Sequence, residues 1–270
     1  MQTLYIESAP RLALSVADTQ GSGPCVLFLH GIGGNRGNWV DQLAFFAAQG
    51  YRAAALDFRG YGASADYEGA LDFRADFCND VLRTLDHLGV QQAHLVGLSM
   101  GGRVARWFYA LHGARVASLT LANTQPGFDS LGAQATEEFV GARLAPLMAG
   151  HELGDLAHDL ARGLIGVSAV AGAYDRLVAS MAALHRTSYM KTVRASVEQD
   201  RGFDLPVIRA PTLVIAGAED KLYAPAVARR MAEQIAGARF QVIAGAGHLS
   251  NLEQPDRFNA CLLEFLRQQA

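Results

Sequence analysis

Gly97-Leu98-Ser99-Met100-Gly101 decides how this chain is read. The run before it, Ala93-His94-Leu95-Val96, is apolar enough for a buried strand, and Gly102-Arg103-Val104-Ala105-Arg106-Trp107-Phe108 after it has helical spacing. Ser99 therefore stands on a strand-to-helix turn. On so sharp a turn the positions two before and two after the serine have no room for a side chain, and glycine occupies both. The turn lifts the hydroxyl off the sheet and points the first amides of the next helix at whatever the hydroxyl attacks. This is the geometry of a nucleophile elbow. A tight turn with an incidental serine fits the same five residues, so the rest of the chain must supply the partners.

Upstream, residues 4–7 and 11–16 read as an antiparallel edge hairpin and Gln20-Gly21-Ser22-Gly23-Pro24 as a turn. Cys25-Val26-Leu27-Phe28-Leu29 is a continuous apolar run of the kind buried in a central parallel strand, and it ends in His30-Gly31-Ile32-Gly33-Gly34-Asn35. A dinucleotide fingerprint would need glycine at position 36, where the chain has Arg36, so no cofactor is expected. Glycine instead lets this loop approach a substrate closely, with the amide of Ile32 aimed at an oxyanion and His30 organising the loop rather than serving as a base. A helix is predicted from a cap at Asn38 through residue 47, with Gly50 stopping it. The strand 53–56 then leads into Asp57-Phe58-Arg59-Gly60-Tyr61-Gly62-Ala63-Ser64, where the charged pair Asp57 and Arg59 braces tight turns. A helix over 73–88 puts Phe73, Phe77, Val81, Leu85 and Leu88 on one stripe, and Gly89 closes it. With the elbow and a further strand at Val116–Ala122, strands and helices alternate, which predicts a mostly parallel sheet wound on both faces.

The alternation stops between residues 126 and 204. Helical stretches over 139–148, 153–164 and 174–197 predict a helical cap, or lid, above the carboxyl ends of the sheet, with residues 1–125 and 205–270 forming the core. Alternation resumes with a strand over 211–217, a helix over 225–235, a strand over 240–243 and a helix over 255–267.

A serine hydroxyl needs an imidazole to take its proton, and the imidazole needs a carboxylate to hold its tautomer. Asp220 and His248 each fall just beyond one of these late strands, so the topology gathers Ser99, Asp220 and His248 at one sheet edge. Asp220 is preferred to Glu219 because it stands at the usual depth of a Gly-x-x-Asp turn. Asn123, after the earlier strand, cannot carry the charge, and Asp57 lies after the wrong strand. The amides of Ile32 and Met100 are the expected oxyanion donors. Activity should decline as pH falls past about 6.5, the ordinary histidine value.

Composition sets the outer bounds. The chain has 270 residues, 50% apolar and 18% charged, which suits one α/β domain with an insertion. Its 23 basic and 26 acidic residues give a net charge of −3 with no basic block, so nucleic acid is not an expected partner. No stretch approaches the roughly 20 apolar residues of a membrane span and no signal peptide is evident, so a cytoplasmic protein with no membrane partner is expected. Cys25, Cys78 and Cys261 lack metal-ligand spacing and read as packed free thiols, and no metal site is expected.

Together the His30 loop, the Asp57 to Ser64 turn, the elbow, the stretch 204–220 and Gly245-Ala246-Gly247-His248 resemble the α/β-hydrolases over nearly the whole chain. Within that family, His248-Leu249-Ser250-Asn251-Leu252-Glu253-Gln254-Pro255 and Leu119-Thr120-Leu121-Ala122-Asn123-Thr124 are most similar to 3-oxoadipate enol-lactonases and neighbouring carboxylesterases. His30-Gly31 departs from that lactonase pattern. The resemblance implies hydrolysis of a small carboxylic ester or enol-lactone through an acyl-enzyme on Ser99. Epoxide hydrolases and haloalkane dehalogenases need an aspartate at the elbow, which Ser99 disfavours. Two alternatives stay open: a carbon–carbon hydrolase of ring-cleavage products, whose pattern has an aromatic where this chain has Leu249, and a non-catalytic receptor for a small molecule. Among the lid cations Arg186, Lys191 and Arg194, Arg186 lies beside bulky apolar residues and is the candidate to grip a substrate carboxylate. Trp39 is the candidate for an apolar wall.

Overall fold

The computed structural model describes residues 1–17 and 23–269, and the turn expected at 20–24 lies mostly outside them. Eight strands form one sheet: β1 (Gln2–Ile6), β2 (Leu12–Ala17), β3 (Cys25–Leu29), β4 (Arg52–Asp57), β5 (Ala93–Leu98), β6 (Val116–Ala122), β7 (Thr212–Gly217) and β8 (Arg239–Ile243). Their spatial order is β1-β2-β4-β3-β5-β6-β7-β8. The edge hairpin β1–β2 is antiparallel and joins β4 antiparallel, while every pairing from β4 to β8 is parallel. Parallel central strands are covered on both faces, which is why β3 and β5 are buried at every position and read as continuous apolar runs.

Ten α-helices accompany the sheet among the described residues: α1 (Val40–Ala48), α2 (Ala75–His87), α3 (Met100–His112), α4 (Ala133–Met148), α5 (Leu153–Leu164), α6 (Ala173–Ala182), α7 (Arg186–Gln199), α8 (Pro225–Glu233), α9 (Ser250–Glu253) and α10 (Pro255–Leu266). Helices α4 to α7 fill the interval between β6 and β7, where the alternation was expected to stop. From β3 the chain passes through α1 to β4 on one side and then through α2 to β5 on the other. The winding therefore reverses at β3 and β5. Open α/β sheets leave a crevice outside the carboxyl ends of the strands at such a reversal, and here it lies between the His30 loop and the Ser99 turn.

Two helix readings change. A 3-10 turn over Arg36–Trp39 precedes α1; its cap is Asn35, whose side chain accepts from the Gly37 amide, while Asn38, the third residue of the turn, completes the capping box by accepting from the Asn35 amide. The stretch read as one helix over 174–197 is two, α6 and α7, broken at residues 183–185. No glycine or proline marks that break. Tertiary contacts make it, since the His185 ring bonds the Asp66 carboxylate at 3.0 Å and the Gly62 carbonyl at 3.1 Å. The stripe Phe73, Phe77, Val81, Leu85, Leu88 is buried as read. The three cysteines are free, and burial pushes their thiols up to about 12 for Cys25 and Cys78 and about 11 for Cys261. No helix among the described residues is long and apolar enough to cross a membrane.

Candidate active site

Ser99 leaves β5 in a backbone conformation that non-glycine residues rarely adopt, with φ 55° and ψ −115°. Such strain costs of order 1–3 kcal/mol and persists only where the surroundings over-determine it. Here the Ser99 amide donates to the Ala122 carbonyl at 2.9 Å, and the Ser99 carbonyl accepts from the Thr124 hydroxyl at 2.7 Å and the Gly102 amide at 3.1 Å. The flanking glycines are required by contact. A Cβ on Gly97 would lie 2.3 Å from the Gly101 carbonyl oxygen, and one on Gly101 would lie 2.1 Å from the Leu29 carbonyl oxygen. Met100 opens α3, so its amide has no carbonyl within the helix to bond.

The loop after β3 closes on the same point. A Cβ on Gly31 would touch the Ser99 Cβ at 3.3 Å, and the turn is locked by the Gly34 amide on the Gly31 carbonyl at 3.0 Å. His30 holds this loop as expected: its Nδ1 bonds the Gly31 carbonyl at 2.8 Å and its Nε2 accepts from the Phe58 amide at 3.3 Å. Burial pushes its ring below the ordinary histidine range, against the opposing influences of Asp57 and the Gly31 carbonyl, so the neutral form is favoured. The charged turn that follows β4 is braced by different partners from those the local sequence implied. Asp57 binds the amide and guanidinium of Arg36, and Arg59 binds Asp76 and Asp80.

Asp220 and His248 meet beyond β7 and β8, where the Asp220 carboxylate accepts from His248 Nδ1 at 2.9 Å. The same carboxylate also takes the Asn123 amide group at 3.0 Å and the backbone amides of Leu222 and Tyr223 at 2.9 Å each. Burial alone would raise this carboxyl; its electrostatic interaction with His248 and the hydrogen bonds from His248, Tyr223 and Asn123 overcome it and hold Asp220 below the usual carboxylate range. With Nδ1 committed to Asp220, the imidazole turns its Nε2 lone pair outward as an acceptor. Glu219, the rival acid, instead accepts from the Val167 amide at 2.7 Å.

Ser99, His248 and Ile32 line one cavity with about 670 Å³ of space between its walls, open mouth included. Its roof comes from the helices between β6 and β7, with Phe139 and Arg143 from α4, Met181 from α6 and Tyr189 from α7. Trp39 also lines it, while its ring stacks on Phe28 at 5.0 Å, so it is wall and core at once. Arg186 is corrected: it is exposed, lies outside this lining, and donates to the Leu147 carbonyl at the end of α4. It is the first residue of its helix and its side chain runs back across the α4–α7 seam instead of inward. Lys191 is likewise engaged outside the cavity, on the Tyr67 carbonyl and ring.

The local sequence did not single out Arg143 or Glu253. Arg143 had a signal, since Phe139, Arg143 and Leu147 recur at i, i+4 on the buried stripe of α4. Glu253 is buried next to the histidine loop; its carboxylate accepts from Gly166 at 2.7 Å and from Gly247 and Leu249 at 2.8 Å each. Among the described residues no group of three or more His, Cys, Asp or Glu is placed to hold a metal ion.

Comparison with known proteins places the fold. A family model described as the alpha/beta hydrolase fold matches residues 24–255. The 3-oxoadipate enol-lactonase 1 of Acinetobacter baylyi is 31% identical over 88% of this chain and 86% of its own. A 2-hydroxy-6-oxononadienedioate/2-hydroxy-6-oxononatrienedioate hydrolase of Paraburkholderia phymatum is 31% identical over 97% and 94%. Among solved structures, a thermophilic esterase from Thermogutta terrifontis superposes with TM-score 0.88 at 28% identity, covering 100% of this chain and 99% of that one. On the family match, the sheet topology and these relatives, the chain belongs to the α/β-hydrolase fold family and is a hydrolase.

Proposed function

We propose that the protein hydrolyses small carboxylic esters or lactones through an acyl-enzyme on Ser99. The observation that carries this reading is the strained Ser99 at the head of α3, sharing one cavity with a His248 whose Nδ1 is held by Asp220. His248 Nε2 takes the hydroxyl proton as Ser99 Oγ bonds to the carbonyl carbon. The amides of Ile32 and Met100 hold the resulting oxyanion. When the carbon–oxygen bond to the alcohol breaks, His248 returns the proton to the leaving oxygen. Water, deprotonated by the same ring, then attacks the acyl carbon and releases the acid and free Ser99. Residues 126–204 serve as the lid that keeps bulk water from the acyl-enzyme, and Trp39 is part of the apolar wall. The relatives named as an enol-lactonase and an esterase support this choice within the family.

The test is kinetic, with 4-nitrophenyl acetate and a small enol-lactone as substrates. Ser99→Ala and His248→Ala should each lose ~10⁴-fold or more in kcat, and the double variant should lose no more than either, because the two act as a unit. A double variant far worse than both singles overturns the mechanism. Turnover of a vinylogous 1,5-diketone with none of either ester replaces it with carbon–carbon cleavage. Tight binding with no burst of nitrophenolate replaces it with a receptor.

A further inference from the structure

The cavity wall carries a cation that its surroundings do not neutralise. Arg143 is 8% exposed, and its guanidinium donates to the Phe139 carbonyl one turn back at 3.1 Å, lies 3.8 Å from the Phe139 ring centroid and approaches the Tyr189 hydroxyl. No acidic side chain among the described residues pairs with it. A buried guanidinium without a carboxylate is costly, and a ring face with one carbonyl offsets only part of the lost hydration. Arg103 and Arg106 both bind the carboxylate of Asp200, with Asp129 also acting on Arg106, and Arg103 itself lines the cavity. Asp220 is already engaged by His248. Arg143, with no carboxylate partner, thus faces a space whose other walls are largely apolar.

We propose that Arg143 is the anion-binding residue of this site and that the substrates are small esters or lactones bearing a free carboxylate. This rests on the serine-hydrolase reading and narrows its substrate class. The planar guanidinium has donors left over from Phe139 and grips a carboxylate in two parallel hydrogen bonds. The Phe139 ring and Tyr189 fix the plane of the fork, and the apolar walls keep water from competing for it. Binding at the far end of the substrate presents the scissile carbonyl to Ser99. The carboxylate takes no part in bond making or breaking.

The experiment compares kcat/KM for the monomethyl and dimethyl esters of succinate, glutarate and adipate, on the full chain as wild type, Arg143→Met and Arg143→Gln. The acid-to-neutral ratio in the wild type should favour the half-ester at one chain length or more. It should fall about 30-fold or more in Arg143→Met, the effect of removing one partner of a buried charged hydrogen bond. The same ratio in wild type and variant at every length overturns the assignment. Should Arg143→Met not fold, Arg143→Gln, which keeps a donor for the Phe139 carbonyl, carries the comparison under the same criterion. If the wild type turns over none of these esters, 4-nitrophenyl acetate and the enol-lactone decide separately whether the serine-hydrolase reading has failed, and glutarate binding decides the anion site. Glutarate raising the melting temperature of the wild type and not of the variant supports the anion site; equal shifts, or none in either, overturn it.

Discussion

Replacing Glu253 by glutamine tests how the histidine is held. Its Oε2 accepts from the amides of Gly166 and Gly247 at 2.7 and 2.8 Å, and its Oε1 accepts from the Leu249 amide at 2.8 Å. Two of these amides flank His248, and the third belongs to the connection after α5, whose Leu164 carbonyl takes the His248 amide at 2.8 Å. A glutamine in either orientation turns an NH₂ group toward at least one backbone N–H. One buried donor left unpaired costs about 1–3 kcal/mol, and the remaining bonds lose about 1 kcal/mol between them as the charge goes, so about 2–4 kcal/mol is expected. At about 2–4 °C per kcal/mol for a chain of this size, the melting temperature should fall roughly 4–16 °C. The histidine loop should also drift, and a misplacement near 1 Å costs ~10²-fold in kcat with KM little changed. Thermal melts and steady-state ester kinetics read both. A melt that falls while kcat holds refutes the positioning role, and a variant matching the wild type in both refutes the hydrogen-bond reasoning itself.

Gly101→Ala places a Cβ 2.1 Å from the Leu29 carbonyl oxygen, so β3 or α3 must yield by about 1 Å. A loss of about 3 kcal/mol in stability and ~10²-fold in kcat is expected; wild-type values in urea unfolding and ester turnover would show that the elbow has slack. Burial holds His30 and His94 below the ordinary histidine range, so the unfolded chain takes up their protons first as pH falls. Each therefore contributes stability that is complete above about pH 6.5 and is lost below it at up to about 1.4 kcal/mol per pH unit. Urea unfolding between pH 7.5 and 5 should give a shallower decline for His94→Gln than for the wild type, and equal slopes contradict a neutral buried His94.

The parts of the site legible in sequence are those whose backbone admits few residues. The elbow needs glycine at 97 and 101 because a Cβ there meets backbone. The strands β3, β5 and β7, buried on both faces, leave continuous apolar runs, and Asp220 and His248 could be placed because each follows such a run or its neighbour. The order of strands and the reversal at β3 and β5 left no local trace, since each run fits any central position. The insertion between β6 and β7 was legible as helical and not in its detail. The break between α6 and α7 is made by His185 reaching Gly62 and Asp66, partners more than a hundred residues away. Arg186 was favoured for its apolar neighbours in sequence, yet which side chain enters the cavity depends on how α4 and α7 pack. Arg143 enters it from α4, where an arginine on the stripe of Phe139 and Leu147 was the trace available.

The most direct test of the central claim is covalent. Incubation with 4-nitrophenyl diethyl phosphate, followed by intact-mass measurement and peptide mapping, should show one diethylphosphoryl group per chain on Ser99, with nitrophenolate released in equal amount and ester hydrolysis lost in proportion. A chain fully labelled at Ser99 that still hydrolyses esters at the original rate, or one inactivated with the label on another side chain, would contradict it.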